Sequence, residues 1–476
     1  MRNFDALNDT RNLEYSGKRI AHHGLHHQIV VSMMDLPPGC EGAHTAEFYL
    51  DRLKKIIDSD IPYHSICFKD ATGTANPKKV YQTIKEARKM VSADTILWFH
   101  SHDTAGIGIS QYLAAVEGGI DGIDLAKSPV SGGTCQPDIL SMMHALKGSD
   151  YTLDLDYEKV LKAEEVFEEA MSDYFFPPEA KMVSPTITLS PMPGGALTAN
   201  TMMMRDTGTL HLYPQVIKEM AEVVRKGGFG SSVTPVSQFY FQQAYLNVTQ
   251  GKWKKINPSY GNMVLGYFGR TPAPPDPEIV RLASEQLEKP VFTEDPLDLL
   301  EPGIPQAIKI LEENNLPVND ENIFIIGSCE QKGLDFLLGK ARENIRKKSD
   351  KTADAKAAKP APAAIQQGPR SYSITVNDRA YNVTVAEGTG QIEAAAVQPP
   401  ADASDGGTEI NAPAPGNIVK IMVEVGDLVE KDQPLLIMEA MKMESEINAA
   451  AAGKITAIHV AAGDTVQTSD LLITIG

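Results

Sequence analysis

The 476-residue sequence lacks an excess of positive charge. It carries 62 acidic side chains against 44 basic ones, which gives a formal net charge of −18. Because phosphate recognition requires a basic footprint, this balance argues against nonspecific nucleic-acid binding. We therefore expect no nucleic acid among the partners of this chain.

Cysteines and long apolar runs are also scarce. The four cysteines, Cys40, Cys67, Cys135 and Cys329, are scattered without metal-ligand spacing, which is typical of reduced thiols and not of a disulfide framework. No apolar run approaches the ~20 residues that a membrane span needs, and residues 1–5 lack the apolar core of a signal peptide. The sequence thus predicts a soluble cytoplasmic protein, too long for one ordinary domain.

Short apolar runs in residues 1–150 alternate with helix-like stretches. The runs are rich in β-branched and aromatic residues and lie at 28–32, 64–68, 95–99 and 119–125. Continuous apolar strands separated by helices are typical of parallel βα units buried on both faces. Polar residues follow at once, as in Lys69-Asp70 and His100-Ser101-His102-Asp103. Because parallel barrels place their active sites at the carboxyl ends of strands, the pattern predicts an α/β fold with part of a (β/α)8 TIM-type barrel.

The chain changes character twice after residue 150. Residues 151–348 contain long charged helical stretches, such as 157–173, 213–226 and 277–287, which we interpret as a mainly helical domain over the barrel mouth. Residues 349–409 combine Ala-, Lys- and Pro-rich linkers with a small predicted β hairpin at 371–385. The second linker, 387–408, would span on the order of 70 Å if it were extended at about 3.1 Å per residue. That reach is enough to carry a tethered cofactor between distant catalytic centres.

An internal repeat occupies residues 410–476. Eight residues recur 37 positions later: Gly416, Ile418, Ile421, Val423, Gly426, Asp427, Val429 and Leu435 return as Gly453, Ile455, Ile458, Val460, Gly463, Asp464, Val466 and Leu472. Two copies of one short β unit predict an all-β flattened sandwich with quasi-twofold symmetry. Met441 and Lys442 fall between the copies, where we expect a tight hairpin.

Lys442 is a candidate site of covalent modification. A lysine at the tip of a rigid hairpin is accessible to a modifying enzyme, and two known modifications use this architecture. The segment Glu439-Ala440-Met441-Lys442-Met443 resembles the biotinyl domain, whereas lipoyl domains usually carry Asp-Lys. The plainer alternative is a surface lysine between two core methionines, but methionines beside a turn lysine have no packing rationale. The resemblance implies biotin on Lys442, flanked by Met441 and Met443 as part of the recognition surface.

His100 and His102 are candidate metal ligands. Side chains alternate along a strand, so two histidines two residues apart lie on one face and can hold one divalent ion. The pattern alone favours a ligand pair and a structural pair equally. Lys69 ends the preceding βα unit at the same level, where it is either a surface cation or, once carbamylated, an oxygen ligand. Such donors suit zinc first, with manganese and cobalt as alternatives.

Several motifs resemble one family of biotin-dependent carboxyltransferases. They are Phe4-Asp5-Ala6-Leu7-Asn8-Asp9, Phe68-Lys69-Asp70-Ala71-Thr72-Gly73, Phe99-His100-Ser101-His102-Asp103-Thr104-Ala105-Gly106, Ser131-Gly132-Gly133-Thr134, Met192-Pro193-Gly194-Gly195 and Val233-Thr234-Pro235-Val236-Ser237. The family includes pyruvate carboxylase, the oxaloacetate decarboxylase alpha subunit and transcarboxylase. The resemblance implies that His100, His102 and carbamylated Lys69 bind the metal. It further implies that Thr234 shuttles a proton between biotin and a 2-oxo acid, and that Asp5 contacts the substrate.

Two departures from the family pattern bear on the site. Ala196 stands where many relatives have Gln after Pro-Gly-Gly, so we expect one contact to be absent. The chain also starts at what corresponds to the fourth barrel strand, without the family's early aspartate ligand and substrate-binding arginine. The remaining five strands cannot close an eight-stranded barrel. We therefore expect either a shortened form of a longer protein or a second polypeptide that completes the barrel.

The resemblance implies transfer of a carboxyl group between biotin and pyruvate, oxaloacetate or a similar 2-oxo acid, through a metal-stabilised enolate. No ATP-binding phosphate loop stands out, so we expect a separate biotin carboxylase subunit, or membrane decarboxylase subunits if the chain is a decarboxylase. A biotin protein ligase and further copies of the chain in a homo-oligomer are also expected partners. The alternatives are a 2-oxoglutarate carboxylase large subunit, a non-catalytic biotin carrier or scaffold, and an aldol- or Claisen-type barrel enzyme, against which the biotinyl segment argues.

Overall fold

The computed structural model describes residues 1–341, 345–349, 370–376, 379–385, 408–413, 416–440, 443–466 and 470–476. The chain forms two compact units, Met1–Lys348 and Ser349–Gly476. The finer division expected from the sequence, with boundaries after residues 150 and 409, stays a prediction.

The first unit is built on a five-stranded parallel sheet whose strands follow one another in chain order. The strands are β1 (Arg2–Asn3), β2 (Gln28–Ser32), β3 (Ser65–Asp70), β4 (Ile96–Ser101) and β5 (Gly122–Ile123), and the helices between them are α1 (Glu14–His22), α2 (Ala46–Ile57), α3 (Pro77–Met90) and α4 (Gly108–Gly118). Parallel neighbours joined through helices are the wall of a (β/α) barrel. The predicted partial barrel of five strands is confirmed.

Strands β3 and β4 extend two residues beyond the apolar runs seen in the sequence. Their parallel ladder continues through the pairs Lys69 with His100 and Asp70 with Ser101. The sequence analysis placed these polar residues directly after the strands, whereas backbone pairing with the neighbouring strand continues past the last apolar side chain. As strand residues, they are held in a fixed register.

Apolar side chains from the strands and helices form one continuous core. The fully buried members include Ile29, Val31, Ile66, Phe68, Leu97 and Phe99 from the strands, with Tyr49, Leu53, Ile84 and Tyr112 from the helices. Strands covered on both faces explain the nearly continuous apolar runs of the sequence. This core fixes the sheet whose carboxyl edge carries the candidate ligands.

The remainder of the first unit is mainly helical, as the sequence predicts. Its helices are α5 (Ile139–Ala145), α6 (Tyr157–Met171), α7 (Pro178–Lys181), α8 (Gly194–Asp206), α9 (Tyr213–Lys226), α10 (Val236–Gln250), α11 (Pro258–Val264), α12 (Pro277–Leu287), α13 (Gly303–Glu313) and α14 (Asp320–Leu337). Single 3-10 turns lie at Thr10–Leu13, Pro185–Leu189, Leu210–Leu212 and Pro296–Leu299. Helix α10 is buried on nearly every face, which makes it the centre of this helical part. Among the described residues, no helix has the length and apolar character needed to cross a membrane.

Buried hydrogen bonds tie the helical part to the sheet. The Ser231 amide donates to the Ala6 carbonyl at 2.8 Å. The Asn8 side chain donates to the Ser231 hydroxyl at 3.1 Å and to the Ser32 carbonyl at 2.9 Å. The segment that leads into α10 is thereby fixed at the carboxyl end of β2.

The second unit contains a hairpin and a sandwich. Its strands are β6 (Arg370–Val376), β7 (Arg379–Val385), β8 (Thr408–Asn411), β9 (Gly416–Ile421), β10 (Leu428–Val429), β11 (Pro434–Ala440), β12 (Met443–Asn448), β13 (Gly453–Ile458), β14 (Thr465–Val466) and β15 (Leu471–Ile475). Strands β6 and β7 pair antiparallel with each other. The others form two four-stranded antiparallel sheets, in the orders β10-β13-β15-β8 and β12-β11-β9-β14. The predicted flattened sandwich is confirmed.

Hydrogen bonds in the sandwich occur in pairs related by the repeat. The Gly426 amide donates to the Ile455 carbonyl at 2.8 Å, and the Gly463 amide donates to the Ile418 carbonyl at 2.7 Å. Both glycines have a positive φ, 108° and 96°, in a region that glycine tolerates best. The core contains equivalent residues from both copies of the repeat, namely Ile418 and Ile455, Val429 and Val466, and Leu435 and Leu472. Each copy therefore closes its turn on a strand of the other copy.

Candidate metal and substrate site

The carboxyl ends of β3 and β4 bring the candidate ligands together. Lys69 and His100 are register partners on neighbouring parallel strands. His102 follows two residues later, and its Nε2 lies 3.2 Å from Nε2 of His100. Two ring nitrogens that face each other at this distance are arranged to share one partner.

His100 is oriented by a half-buried carboxylate. Its Nδ1 lies 2.8 Å from Oδ2 of Asp124, which also accepts from the Arg2 guanidinium. Burial alone raises the pKa of Asp124, but the hydrogen bonds from His100 and Arg2 outweigh it and hold the pKa at about 2. The carboxylate is therefore ionised and accepts the Nδ1 proton of His100, which leaves the Nε2 lone pair free for a ligand.

His102 is oriented by a backbone carbonyl. Its Nδ1 lies 2.7 Å from the Thr134 oxygen, which can only accept, so Nδ1 carries the proton. Burial first, and then the neighbouring His100, lower the pKa of His102 to about 4. The ring is neutral near pH 7 and presents a second Nε2 lone pair beside the first.

Two glycines allow the backbone to approach this histidine closely. A Cβ added at Gly73 would collide with the His102 carbonyl oxygen, and a Cβ added at Gly194 would collide with the Thr134 carbonyl oxygen. Gly73 also has a φ of +69°. Motifs that are far apart in the sequence thus meet at the residue pair that fixes the His102 ring.

Lys69 presents an amine without an anionic partner. Its Nζ lies 3.9 Å from the centroid of the Phe4 ring, and no hydrogen bond or ion pair reaches it from the described residues. Burial, assisted by the Arg2 guanidinium, lowers the pKa of Lys69. A lysine with a lowered pKa has a larger neutral fraction, and the neutral amine is the form that reacts with electrophiles.

The donor set fits a divalent ion if Lys69 contributes. Throughout the ranges that the structure describes, no group of three or more His, Cys, Asp or Glu side chains is placed to hold a metal. The Nδ1 protons of His100 and His102 are hydrogen-bonded to Asp124 and Thr134, so the two Nε2 atoms could bind the ion. A carbamate on Lys69 would add an oxygen ligand. Zinc, manganese and cobalt accept this combination.

Gln136 is a member of the site that the sequence analysis missed. Its Nε2 lies 3.2 Å from Nε2 of His102 and 3.5 Å from Nε2 of His100. Arg2 and Asp124 were missed as well, although both touch His100. For Gln136, the available signal was its position two residues after Thr134, at the end of the Ser131–Thr134 motif.

Thr234 is not joined to the histidines by any described contact. Its side chain is exposed, and no hydrogen bond to its hydroxyl is found within the described residues. It precedes α10 and follows Ser231, whose backbone is fixed at the end of β2. An exposed, unengaged hydroxyl is available to a substrate, and its role as a proton shuttle stays a prediction.

The carboxylate of Asp5 is occupied by its own segment. Oδ2 accepts from the backbone amides of Leu7 and Asp9, both at 2.9 Å, and Oδ1 accepts from the Asn12 side chain at 2.9 Å. Burial raises the pKa of Asp5 against these hydrogen bonds. Its observed partners stabilise the turn after β1, and its predicted contact with the substrate stays a prediction.

The modification site is flanked by described strands. Ala440 of β11 pairs with Met443 of β12, so the two residues between them in sequence are Met441 and Lys442. Met441 and Lys442 themselves lie outside the described residues. In the sequence, the predicted biotin lysine therefore lies between two strands that pair antiparallel in one sheet.

Comparisons with known proteins agree with this architecture. Three family models match: HMGL-like at residues 28–167, a conserved carboxylase domain at 187–386, and biotin-requiring enzyme at 408–475. A pyruvate carboxylase subunit from Methanocaldococcus jannaschii is 31% identical over 92% of this chain and 74% of its own length. The methylmalonyl-CoA carboxyltransferase 5S subunit of Propionibacterium freudenreichii subsp. shermanii is 31% identical over 63% of this chain and 58% of its own length. The carboxyl transferase domain from Rhizobium etli pyruvate carboxylase superposes with a TM-score of 0.62 at 26% identity, covering 71% of this chain and 58% of that one.

Proposed function

The chain belongs to the family of biotin-dependent carboxyltransferases that includes the pyruvate carboxylase subunit from Methanocaldococcus jannaschii. From this premise we propose that it moves a carboxyl group between biotin on Lys442 and a 2-oxo acid. Pyruvate would be the acceptor of the carboxyl group, and oxaloacetate would be the carboxylated product. The observation that supports the site most directly is the pair of facing Nε2 atoms of His100 and His102, 3.2 Å apart. Lys69 stands beside them in the sheet register.

His100, His102 and Lys69 would hold a divalent metal, zinc before manganese or cobalt. When bound, such an ion polarises the carbonyl of the 2-oxo acid and favours its enolate. Asp124 and the Thr134 carbonyl keep both rings in the tautomer that has its proton on Nδ1 and its lone pair on Nε2. The residues thus supply a site whose geometry exists before the metal arrives.

Lys69 becomes an oxygen ligand by carbamylation. The ammonium first loses one proton. The neutral amine then attacks CO2, a nitrogen–carbon bond forms while one C=O π pair moves to oxygen, and a second proton is released, which leaves an anionic carbamate. Burial favours the neutral amine that this step needs, since it disfavours the ammonium form. The same change removes an uncompensated positive charge from the site.

Thr234 relays the proton between biotin and the methyl carbon of the 2-oxo acid. A hydroxyl can donate one proton while it accepts another, which suits a residue that acts in both reaction directions. Its exposed position leaves the hydroxyl free for substrate and biotin. Removal of its hydroxyl should therefore lower the rate of transfer without affecting metal content.

Lys442 receives biotin from a biotin protein ligase, with Met441 and Met443 as part of the surface that the ligase recognises. The Methanocaldococcus jannaschii relative is named as a subunit, which supports a separate biotin carboxylase subunit as the source of carboxybiotin. Membrane decarboxylase subunits are the alternative partner. A homo-oligomer would bring several tethered biotins to each site.

The experiment that tests this function is oxaloacetate decarboxylation by the biotinylated chain, alone and with a biotin carboxylase subunit. We expect pyruvate and oxaloacetate to be exchanged, and 2-oxoglutarate to be a poor substrate. Lys442→Arg should lose both streptavidin signal and transfer, because a guanidinium cannot form the amide with biotin. Lys431→Arg, an exposed lysine of the same sandwich, is the matched control.

Three outcomes would contradict the proposal. Streptavidin signal that persists in Lys442→Arg would show that biotin is elsewhere. Transfer to 2-oxoglutarate in preference to pyruvate would give the substrate of the alternative carboxylase. Biotin incorporation with no transfer under either condition would favour the carrier or scaffold alternative.

A further inference from the structure

Gln136 has no part in the proposed reaction so far, although its side chain lies against both candidate ligands. Its Nε2 is 3.2 Å from His102 Nε2 and 3.5 Å from His100 Nε2. Its Oε1 accepts from the Cys135 thiol at 3.2 Å. The amide therefore turns its donor side to the histidines and its oxygen away from them.

The Nε2 lone pairs of His100 and His102 explain why the NH2 group of Gln136, and not its oxygen, faces the two rings. The Nδ1 protons of His100 and His102 are committed to Asp124 and to the Thr134 carbonyl, so both Nε2 atoms can only accept. An amide oxygen in the place of the Gln136 NH2 group would face two lone pairs and gain no hydrogen bond. The NH2 group can donate one proton to each ring.

The same lone pairs cannot serve two partners. A ring nitrogen that coordinates a metal ion no longer accepts a hydrogen bond, so metal binding by His100 and His102 leaves the Gln136 NH2 group without acceptors. A donor without a partner in a partly buried site is costly. The group must find a new acceptor close to both rings, which is where the proposed substrate would be bound.

We propose that Gln136 is a catalytic residue whose side-chain NH2 group donates a hydrogen bond to the keto oxygen of the 2-oxo acid as that oxygen gains negative charge. The inference rests on the proposed function. A fixed donor aimed at an oxygen that becomes an anion stabilises the enolate more than the ketone. Arg2 approaches the site from another side, because its Nη1 donates to Asp124, its Nε donates to Gln28, and its contact with His100 is at Nδ1 and not at Nε2.

The test uses the full chain loaded with cobalt(II), whose visible absorption reports changes in its ligands, and oxalate as the probe. Oxalate is a planar dianion that resembles the enolate of a 2-oxo acid. In Gln136→Leu, we expect oxalate affinity to fall roughly 10-fold or more, as for loss of a hydrogen bond to a charged group. We expect cobalt affinity to stay equal or to rise, because the amide no longer competes for the Nε2 lone pairs.

Gln82→Leu is the matched control, since Gln82 is exposed on α3 and the chemical change is the same. It should alter neither affinity. Retained cobalt binding by Gln136→Leu shows at once that the variant is folded. A loss of oxalate affinity without a loss of cobalt affinity separates a contact with the substrate from a structural role.

Unchanged oxalate affinity in Gln136→Leu would overturn this inference alone. A parallel loss of cobalt and oxalate affinity would also overturn it, because Gln136 would then only support the two histidines. A wild-type chain that binds no cobalt would overturn the proposed function, and the inference with it.

Discussion

The sheet of the first unit and the sandwich of the second unit differ in what they bury. The first unit buries polar side chains such as Asp70, which accepts from the amides of Thr72, Gly73 and Ala75 and from the side chain of Gln111. In the described part of the sandwich, every buried side chain is apolar. Buried polar groups demand specific partners, whereas apolar groups demand only close packing. The comparison suits the two proposed roles: several aligned side chains in the first unit need fixed partners, whereas a single modified lysine in the second unit needs only a stably folded support.

The strongest test of this separation removes the ligands of the first unit. The double variant His100→Ala with His102→Ala should reduce bound divalent metal from about one equivalent to none, since it removes two of the three proposed protein ligands. Biotin incorporation at Lys442 should remain at the wild-type level, because the sandwich has its own core. Elemental analysis and streptavidin blotting of one preparation measure both.

The exposed pair His22 and His23 provides the matched control, and their replacement by alanine should leave metal content unchanged. Full metal content in the His100 and His102 double variant would show that the ion is held elsewhere. Loss of biotin incorporation in that variant would show that the two units do not fold independently.

The next test asks whether the two copies of the sandwich are energetically equivalent. Ile418→Ala and Ile455→Ala each remove a side chain that is only 1% exposed and should each destabilise the sandwich by about 2–5 kcal/mol. Because their surroundings are related by the repeat, the two losses should be similar. Hydrogen-exchange mass spectrometry of β9 and β13 in the full chain measures them.

Exposed Lys420→Ala serves as the control and should change stability by less than about 0.5 kcal/mol. A large difference between the two isoleucine variants would mean that the symmetry of the hydrogen bonds does not extend to the packing. Neither isoleucine variant should alter metal content in the first unit.

The smallest expected effect is a pH dependence confined to the first unit. His44 is fully buried between the Tyr49 hydroxyl and the Phe229 carbonyl, and burial lowers its pKa from 6.5 to about 4. Above pH 6.5 the ring is neutral in both folded and unfolded chains, so stability is at its full value. Between pH 6.5 and about 4 the unfolded chain takes up a proton that the folded chain does not, and stability falls by up to about 3 kcal/mol.

Denaturant unfolding at several pH values measures this slope. Lys79, Asp35 and Arg52 are the charged groups whose fields reach His44, and all three stay in place in His44→Gln. That variant keeps a donor and an acceptor but cannot titrate, so its slope should be flatter below pH 6.5. An equal slope in wild type and variant would assign the effect to another group.

Much of the architecture could be predicted from the sequence because it depends on local patterns. The predicted helical stretches that begin at Tyr213 and at Pro277 end at Lys226 and Leu287, as the observed helices do. The repeat fixed the expected sandwich, since equivalent apolar positions must face one shared core. The strand ends were predicted too short, because polar residues continue a parallel ladder as well as apolar ones do.

The candidate site was predicted only in part, because it is assembled by sheet order and not by spacing in the sequence. Asp124 reaches His100 from the end of the next strand, and Arg2 reaches it from β1, which is 98 residues away in the chain. Gln136 reaches it from the loop that precedes α5. Although Gln136 follows a recognised motif, no local pattern links these three residues to His100, so only the fold could reveal that they meet there.

The crossed hydrogen bonds of the sandwich bear on how such a domain could arise. Gly426 binds the strand of Ile455, and Gly463 binds the strand of Ile418, so each copy completes the other by the same exchange. Two identical short chains joined about a twofold axis make contacts of this reciprocal kind. The sandwich therefore has the form of a homodimer fused by duplication of one segment. After such a fusion, the link from β11 to β12 along the chain would be new, because the equivalent strands β15 and β8 are the last and the first of the sandwich and are not joined in sequence.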